Sequence, residues 1–473
     1  MTSGPHAAGD EHALHLTWAQ AREAAAAAAR ALPPAEVPLA RAAGRSLAEP
    51  LTALRDMPHY TSSAMDGWAV CGTGPWILAD PGEPLTAHQA VPIVTGGALP
   101  PGARSVLRRE HGEVLPDEDG LPHLRVSPSA PPGSPGGGAD LRLAGEEAHG
   151  GDVLLKAGSL LGPAQLALAA LAGYDAVNVT GRPLVRIVRT GGEVVESGLP
   201  GPGLVRDVFS YLIPPLVEAY GGILVGHRKI GDAAAEWAAA LSDEDAAADH
   251  ATAEGASRAG AAHDGAGSPA APAGPADVVI TTGGTGRGGS DHFRDIVAQM
   301  GGRLIVDGVA MRPGHPTVLA ELPDGRFFVG LPGNPLAAVV GLVTVGEPLL
   351  AALSGREPLA AVELPAGEVF EPELRRTRIL PFRRMYGLAS PAAGSGSGML
   401  RGLARADGFM VVPPHGLELG APVACIPLPW GRPLGEGAPS SSAKAKAAPT
   451  EKAKPKRRTV GSQDPVDWSA LDA

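Results

Sequence analysis

From Pro183 onward short apolar runs alternate with helical stretches, and this alternation constrains the fold more than any other feature of the chain. LVRIVRT (184–190), ILVGHRKI (223–230), VVITT (278–282) and FFVGL (327–331) read as strands. Between and after them LVRDVFSYLIPPLVEAYGG (204–222, kinked by Pro214-Pro215), AAAEWAAAL (233–241), DHFRDIVAQMGG (291–302) and the buried-looking LAAVVGLVTVGEPLLAALSG (336–355) read as helices. Strands alternating with helices predict a parallel, doubly wound α/β sheet, with its ligand beyond the C-terminal ends of the strands. Two of those ends are glycine loops, VVITTGGTGRGG (278–289) and FFVGLPGNP (327–335), with a basic VAMRPGHP turn (309–316) between them. A strand that ends in glycine and leads into a helix offers backbone N–H groups to an anion. One pocket for phosphates or oxyanions is therefore expected.

The chain of 473 residues is too long for one core, so several domains are expected. Residues 14–54 and 141–182 read as one N-terminal helical and linker domain, entered by a helix that Thr17 caps and Pro33-Pro34 stops, with a second short helix over 38–53. Residues 55–140 form a small β-rich lobe, with 117–138 mostly surface loop. Residues 183–356 are the α/β domain, interrupted at about 242–275 by an Ala/Gly/Ser/Asp-rich insertion too poor in apolar residues to fold. A C-terminal β domain spans 357–431, and the basic tail of 432–473, like the leader of 1–13, reads as disordered. A net charge of −11 argues against a nucleic-acid binder, and two cysteines, Cys71 and Cys425, exclude a disulfide scaffold or a thiolate-rich metal site. No secretory leader or membrane span is recognised, so a cytoplasmic location is expected.

Taken singly, the glycine-rich pieces are weak signals. Neither glycine loop is followed by the Lys-Ser or Lys-Thr of a P-loop, and no GxGxxG opens the first strand–helix unit. Their order is more specific. SAMDG (63–67), TGGALPPG (95–102), GEE (145–147), TGGE (190–193), GGT (283–285) with Asp291, MRPGHP (311–316) and LPGNP (331–335) follow one another as in the molybdopterin molybdenumtransferases, and over residues 14–431 the chain resembles that family, the MoeA proteins and the E-domain of gephyrin.

The resemblance implies an elongated homodimer of four domains per subunit, with an α/β molybdopterin-binding domain and a C-terminal β-barrel. It implies a reaction on adenylylated molybdopterin and molybdate, with Mg²⁺, that releases AMP, in a pocket between the α/β domain of one subunit and lobes of the other. A molybdopterin-adenylylating enzyme and molybdoenzymes are the implied protein partners. Carried over by motif, Asp66, Glu193 and Asp291 are candidates for the chemistry, and Asp207, Asp232 and Asp291 for the metal. Thr95, Gly283, Gly284, Arg312, Gly314, His315, Pro316, Gly333, Asn334, Pro335 and Arg378 are candidates for substrate binding. The chain departs from the family pattern at Gly192, Gly231, Gly286, Gly289 and Val208-Phe209, where acidic or hydroxyl residues are usual, and at Arg312 and His315, where lysines are. These departures keep open a second reading, a non-catalytic molybdopterin-binding paralogue, and a third, a dimeric scaffold.

Overall fold

The computed structural model describes residues 15–116, 120–231, 233–241, 275–285, 292–373 and 375–432. The expected leader, insertion and tail, and Asp232, Gly286, Arg287, Gly289 and Asp291, lie outside the described residues, except that the insertion's last residue and the start of the tail are described.

The six strands of the α/β domain are β1 (Leu184–Thr190), β2 (Ile223–Ile230), β3 (Val278–Thr282), β4 (Arg303–Asp307), β5 (Val318–Glu321) and β6 (Phe327–Leu331), in the order β2-β1-β3-β6-β5-β4. β2, β1, β3 and β6 pair in parallel, while β5 runs against both its neighbours. The expectation of an all-parallel sheet is corrected here. Leu322-Pro323-Asp324-Gly325 is a tight turn, closed by Gly325 N–H to Leu322 O at 3.0 Å, and so short a link between β5 and β6 allows only an antiparallel pair. β4 and β5 are not recognisable in the sequence because their runs are only five and four residues long.

Helices cover both faces of this sheet. One face packs Ile213, Leu216 and Val217 of Phe209–Ala219 together with Leu336, Val339, Leu349 and Leu353. The other packs Trp237 and Leu241 of Ala234–Leu241 and Phe293 and Ile296 of Phe293–Gln299. The first helix of the chain, Trp18–Ala28, has the expected Thr17 cap, here a complete capping box with Gln20. Its Ala21 and Ala25 belong to the α/β core, so it joins this domain rather than the one its sequence neighbours build.

The long apolar run at 336–355 is not one regular helix. Pro335–Gly341 and Glu347–Leu353 are α-helical, with a π turn over Leu342–Gly346 between them. Pro348 has no N–H to give to the carbonyl four residues back, which breaks the ladder at this point. Arg22 takes up the slack, donating to Val343 O at 2.6 Å and pairing with buried Glu347 at 3.0 Å. Pro335–Leu353 is apolar and long enough by composition to cross a membrane, but 94% of it is buried inside the domain.

The helix expected at 38–53 does not form. Pro34–Pro38 is a strand paired antiparallel with Ala176–Thr180, a single 3-10 turn follows at Leu39–Arg41, and Leu51–Thr52 pairs with Val153–Leu155. Gly44 at φ +70° and Pro50 divide the segment too often for a helix. The small lobe is a six-stranded sheet that includes Gly67–Cys71 and Gln89–Ile93, packed around Trp76, Leu107 and Leu124. In the last domain Thr377–Met385, Gly408–Val412, Pro422–Pro427 and Val362–Pro365 form an antiparallel sheet, with Leu388–Pro391 on the outer side of the first. Met311–Arg312 adds to it in parallel, tying it to the α/β domain.

Candidate functional site

β1 and β3 are neighbours in the sheet, and the chain leaves them in opposite directions, so their C-terminal ends frame a crevice. Thr190 Oγ donates to Thr282 O at 2.7 Å and clamps the two ends together. Thr190, Gly191, Glu193, Asp207, Phe209, Gly283, Gly284, Gly333, Asn334 and Pro335 line a cavity of about 720 Å³ there, with Gly398 and Leu400 of the C-terminal domain on its far side. A second cavity of about 480 Å³ adjoins it at Asn334 and holds Arg312, Gly314, His315, Pro316 and Arg378, with Arg376, Glu373, Ser395 and Ser397. Ten of the sequence-derived substrate-binding residues thus line two cavities that share one asparagine; Thr95 lines neither.

The glycines have different jobs. Gly283 stands at φ +87° with Thr190 Oγ 2.6 Å from where a Cβ would be, and Gly284 at φ +65° with the Trp237 ring in that position. Gly283 N–H is spent on Leu331 O, and the amides of Leu336 and Ala337 are spent on Ser397 O at 3.0 and 3.3 Å. The helix end at Pro335 is therefore capped by the C-terminal domain, and only part of the backbone N–H groups expected there for an anion stays available. The amides of Gly284, Gly333 and Asn334 meet no described acceptor and remain as donors for an anion.

Asp207 does not suit a metal ligand. Its Oδ2 pairs with the Arg189 guanidinium and accepts from Ser210 Oγ at 2.6 Å, while Oδ1 accepts the amides of Phe209 (2.9 Å) and Ser210 (3.3 Å). Arg189 and Asp207 are both buried, and Arg189 also reaches Glu196 at 3.2 Å. Burial works to raise the Asp207 pKa, but the hydrogen bonds from Ser210, the charge of Arg189 and the Phe209 amide together hold it below its ordinary value. All acceptor positions of this carboxylate are occupied and a cation already stands beside it. Among the described residues no group of three or more potential ligands comes together for a metal ion. The donor set does not fit a magnesium centre at Asp207.

Glu193 is exposed at the rim of the first cavity. Asp66 and Thr95 belong to the small lobe and line neither cavity. They hold each other: Thr95 N–H and Oγ donate to Asp66 Oδ1 at 2.7 and 2.9 Å, and these bonds keep the carboxylate below its usual pKa. In the second cavity His315 binds Val309 O through Nδ1 at 2.8 Å; a carbonyl only accepts, so Nδ1 carries the proton. Arg376, Glu373, Ser397 and Arg189 were not among the sequence candidates. The run of arginines at 375–378 was the available signal for the first, whereas nothing local marks Glu373 or Arg189 as partners of residues 61 and 18 positions away.

Comparison with known proteins sets the chain beside the MoeA proteins. Three family models match: "MoeA N-terminal region (domain I and II)" over residues 16–173, "Probable molybdopterin binding domain" over 270–352 and "MoeA C-terminal region (domain IV)" over 363–428. Curated relatives include a molybdopterin molybdenumtransferase of a Nostoc species, 29% identical over 67% of this chain and 69% of the relative. Another is molybdopterin molybdenumtransferase 2 of Mycobacterium tuberculosis, 28% identical over 83% of this chain and 94% of the relative. The solved structure of a molybdopterin biosynthesis MoeA protein from Pyrococcus horikoshii covers 88% of this chain and 99% of its own, with a TM-score of 0.63 at 25% identity.

Proposed function

The chain belongs to the MoeA family of molybdopterin molybdenumtransferases, and from that premise we propose that it transfers molybdenum from molybdate to adenylylated molybdopterin with release of AMP. The observation that carries this reading is the pair of cavities joined at Asn334, one suited to a phosphate and one to an oxyanion.

In this reading the first cavity takes the pterin phosphate. Gly284, Gly333 and Asn334 supply amide donors, and the missing side chains of Gly283 and Gly284 let Thr190 and the Trp237 ring pack against the loop that presents them. The second takes molybdate. Arg312, Arg376 and Arg378 supply guanidinium forks, which suit a tetrahedral oxyanion better than single ammonium groups do. The adenylyl end of the substrate then extends from the first cavity toward solvent, past Glu193. Asp66 and Thr95 act from the small lobe of a second subunit, in a homodimer whose site is complete only when both chains are present. We read the C-terminal sheet as a barrel, with the bridge between Ala366 and Ala389 joining its ends.

The test is direct. Purified protein given molybdate, Mg²⁺ and adenylylated molybdopterin releases AMP, followed by chromatography. Pterin binding without AMP, under conditions where the Mycobacterium tuberculosis relative turns over, sinks the enzyme reading. It would leave the binding paralogue, which the full engagement of Asp207 by Arg189 favours.

A further inference from the structure

Glu373 stands inside the arginine cavity, between two of the three guanidiniums assigned to the oxyanion. Its Oε1 lies 3.3 Å from Arg312 Nη1 and its Oε2 3.7 Å from Arg378 Nε, so each carboxylate oxygen faces one arginine. Arg378 is fixed independently. It donates through Nη2 to Glu371 O at 2.6 Å, and its guanidinium lies over the Phe370 ring at 5.5 Å. Its Nε is buried and makes no hydrogen bond, because Glu373 covers it without coming close enough to accept. The carboxylate is therefore placed as an anion between two forks, in a loose fit that leaves one donor unsatisfied.

We propose that Glu373 is a tethered stand-in for the substrate oxyanion, and that it makes the cavity selective for dianions over monoanions. The proposal rests on the oxyanion reading of this cavity and adds the residue that sets its threshold. The physical reason is competition. A carboxylate on the same chain is present at an effective concentration of about millimolar or more, and it carries one negative charge. A free monoanion offers the guanidiniums no more charge than Glu373 does and must also displace it. A tetrahedral dianion offers about twice the Coulombic attraction and can reach Arg312, Arg376 and Arg378 together, including the idle Arg378 Nε–H.

The test uses the full chain and isothermal titration with molybdate, sulfate and nitrate. Wild type is expected to bind the dianions and show no nitrate binding. Glu373→Gln is expected to bind molybdate roughly five- to tenfold tighter, as removal of two partly exposed ion pairs allows, and to gain measurable nitrate binding, so that the dianion preference collapses. Equal molybdate affinity in both proteins overturns the role of Glu373 and leaves the oxyanion reading standing. Weaker binding by Glu373→Gln also overturns it, since the carboxylate would then be positioning the arginines rather than competing with the ligand. If neither protein binds molybdate, while Arg378→Ala likewise changes nothing, the oxyanion reading falls and the proposal with it.

Discussion

The two cavities that meet at Asn334 carry their charge differently. In the first, Arg189 is buried against Asp207 and is not part of the lining, and the groups that face the cavity are the glycine amides, Arg206 and two carboxylates, Asp207 and the exposed Glu193. In the second, the cations stand in the cavity, and the Arg312 side chain is 70% exposed. The difference suits two ligands. On the reading proposed above, a pterin phosphate would meet fixed backbone dipoles at a sheet edge, and a free oxyanion would meet guanidinium forks on side chains.

The largest expected effect breaks the first arrangement. Arg189→Met removes one partner of a buried pair and strands Asp207 without its cation, which costs about 3–5 kcal/mol in unfolding free energy. Urea denaturation measures this directly. A loss under about 1 kcal/mol would mean that internal neutralisation is not what holds this wall. A smaller effect sharpens the comparison at the backbone. Gly284→Ala places a methyl group against the Trp237 ring at a φ of +65°, and strain of this kind costs of order 1–3 kcal/mol. Molybdopterin affinity is expected to fall with the shift of the loop, while molybdate affinity stays unchanged. Equal losses for both ligands would show that the two cavities are one site.

Much of this contrast was legible beforehand because glycines after strands are local signals. The ends of β3 and β6 and the basic turn at Met311–Pro316 are placed at one pocket by their sequence, whereas the end of β1 and Asn334 enter it only through the family resemblance. The failures share a cause. β5 was missed because a run of four residues is too short to show a period, and with it went the reversed direction inside the sheet. The capping of Leu336 and Ala337 by Ser397 joins segments some 60 residues apart, which no window on the sequence exposes. Asp207 was read as a ligand from its motif, but Arg189, the strand residue just before the TGGE run, decides its chemistry from 18 positions away.

The smallest effect concerns how each cavity responds to acid. The arginine cavity is built on the C-terminal sheet, and that sheet is tied at Asp407, whose carboxylate accepts from Arg432 at 2.9 Å and from the Arg384 amide at 2.7 Å. These bonds, the Arg432 side chain first, hold its pKa down to about 2. An unfolded aspartate titrates near about 3.9. The folded value is the lower one, so the stabilisation is complete above about pH 4 and is lost as the pH falls toward about 2. The glycine cavity has a shielded carboxylate of the same kind in Asp207, but that one is buried with its partner, whereas the Arg432 side chain is 63% exposed and salt can screen it. Asp407→Asn is therefore expected to flatten the acid limb of stability between about pH 4 and 2, and high salt to weaken the same limb in wild type. Near-UV circular dichroism across that range, at low and high salt, reads both. If Asp407→Asn leaves the acid limb unchanged, the C-terminal sheet is not the more acid-sensitive of the two walls.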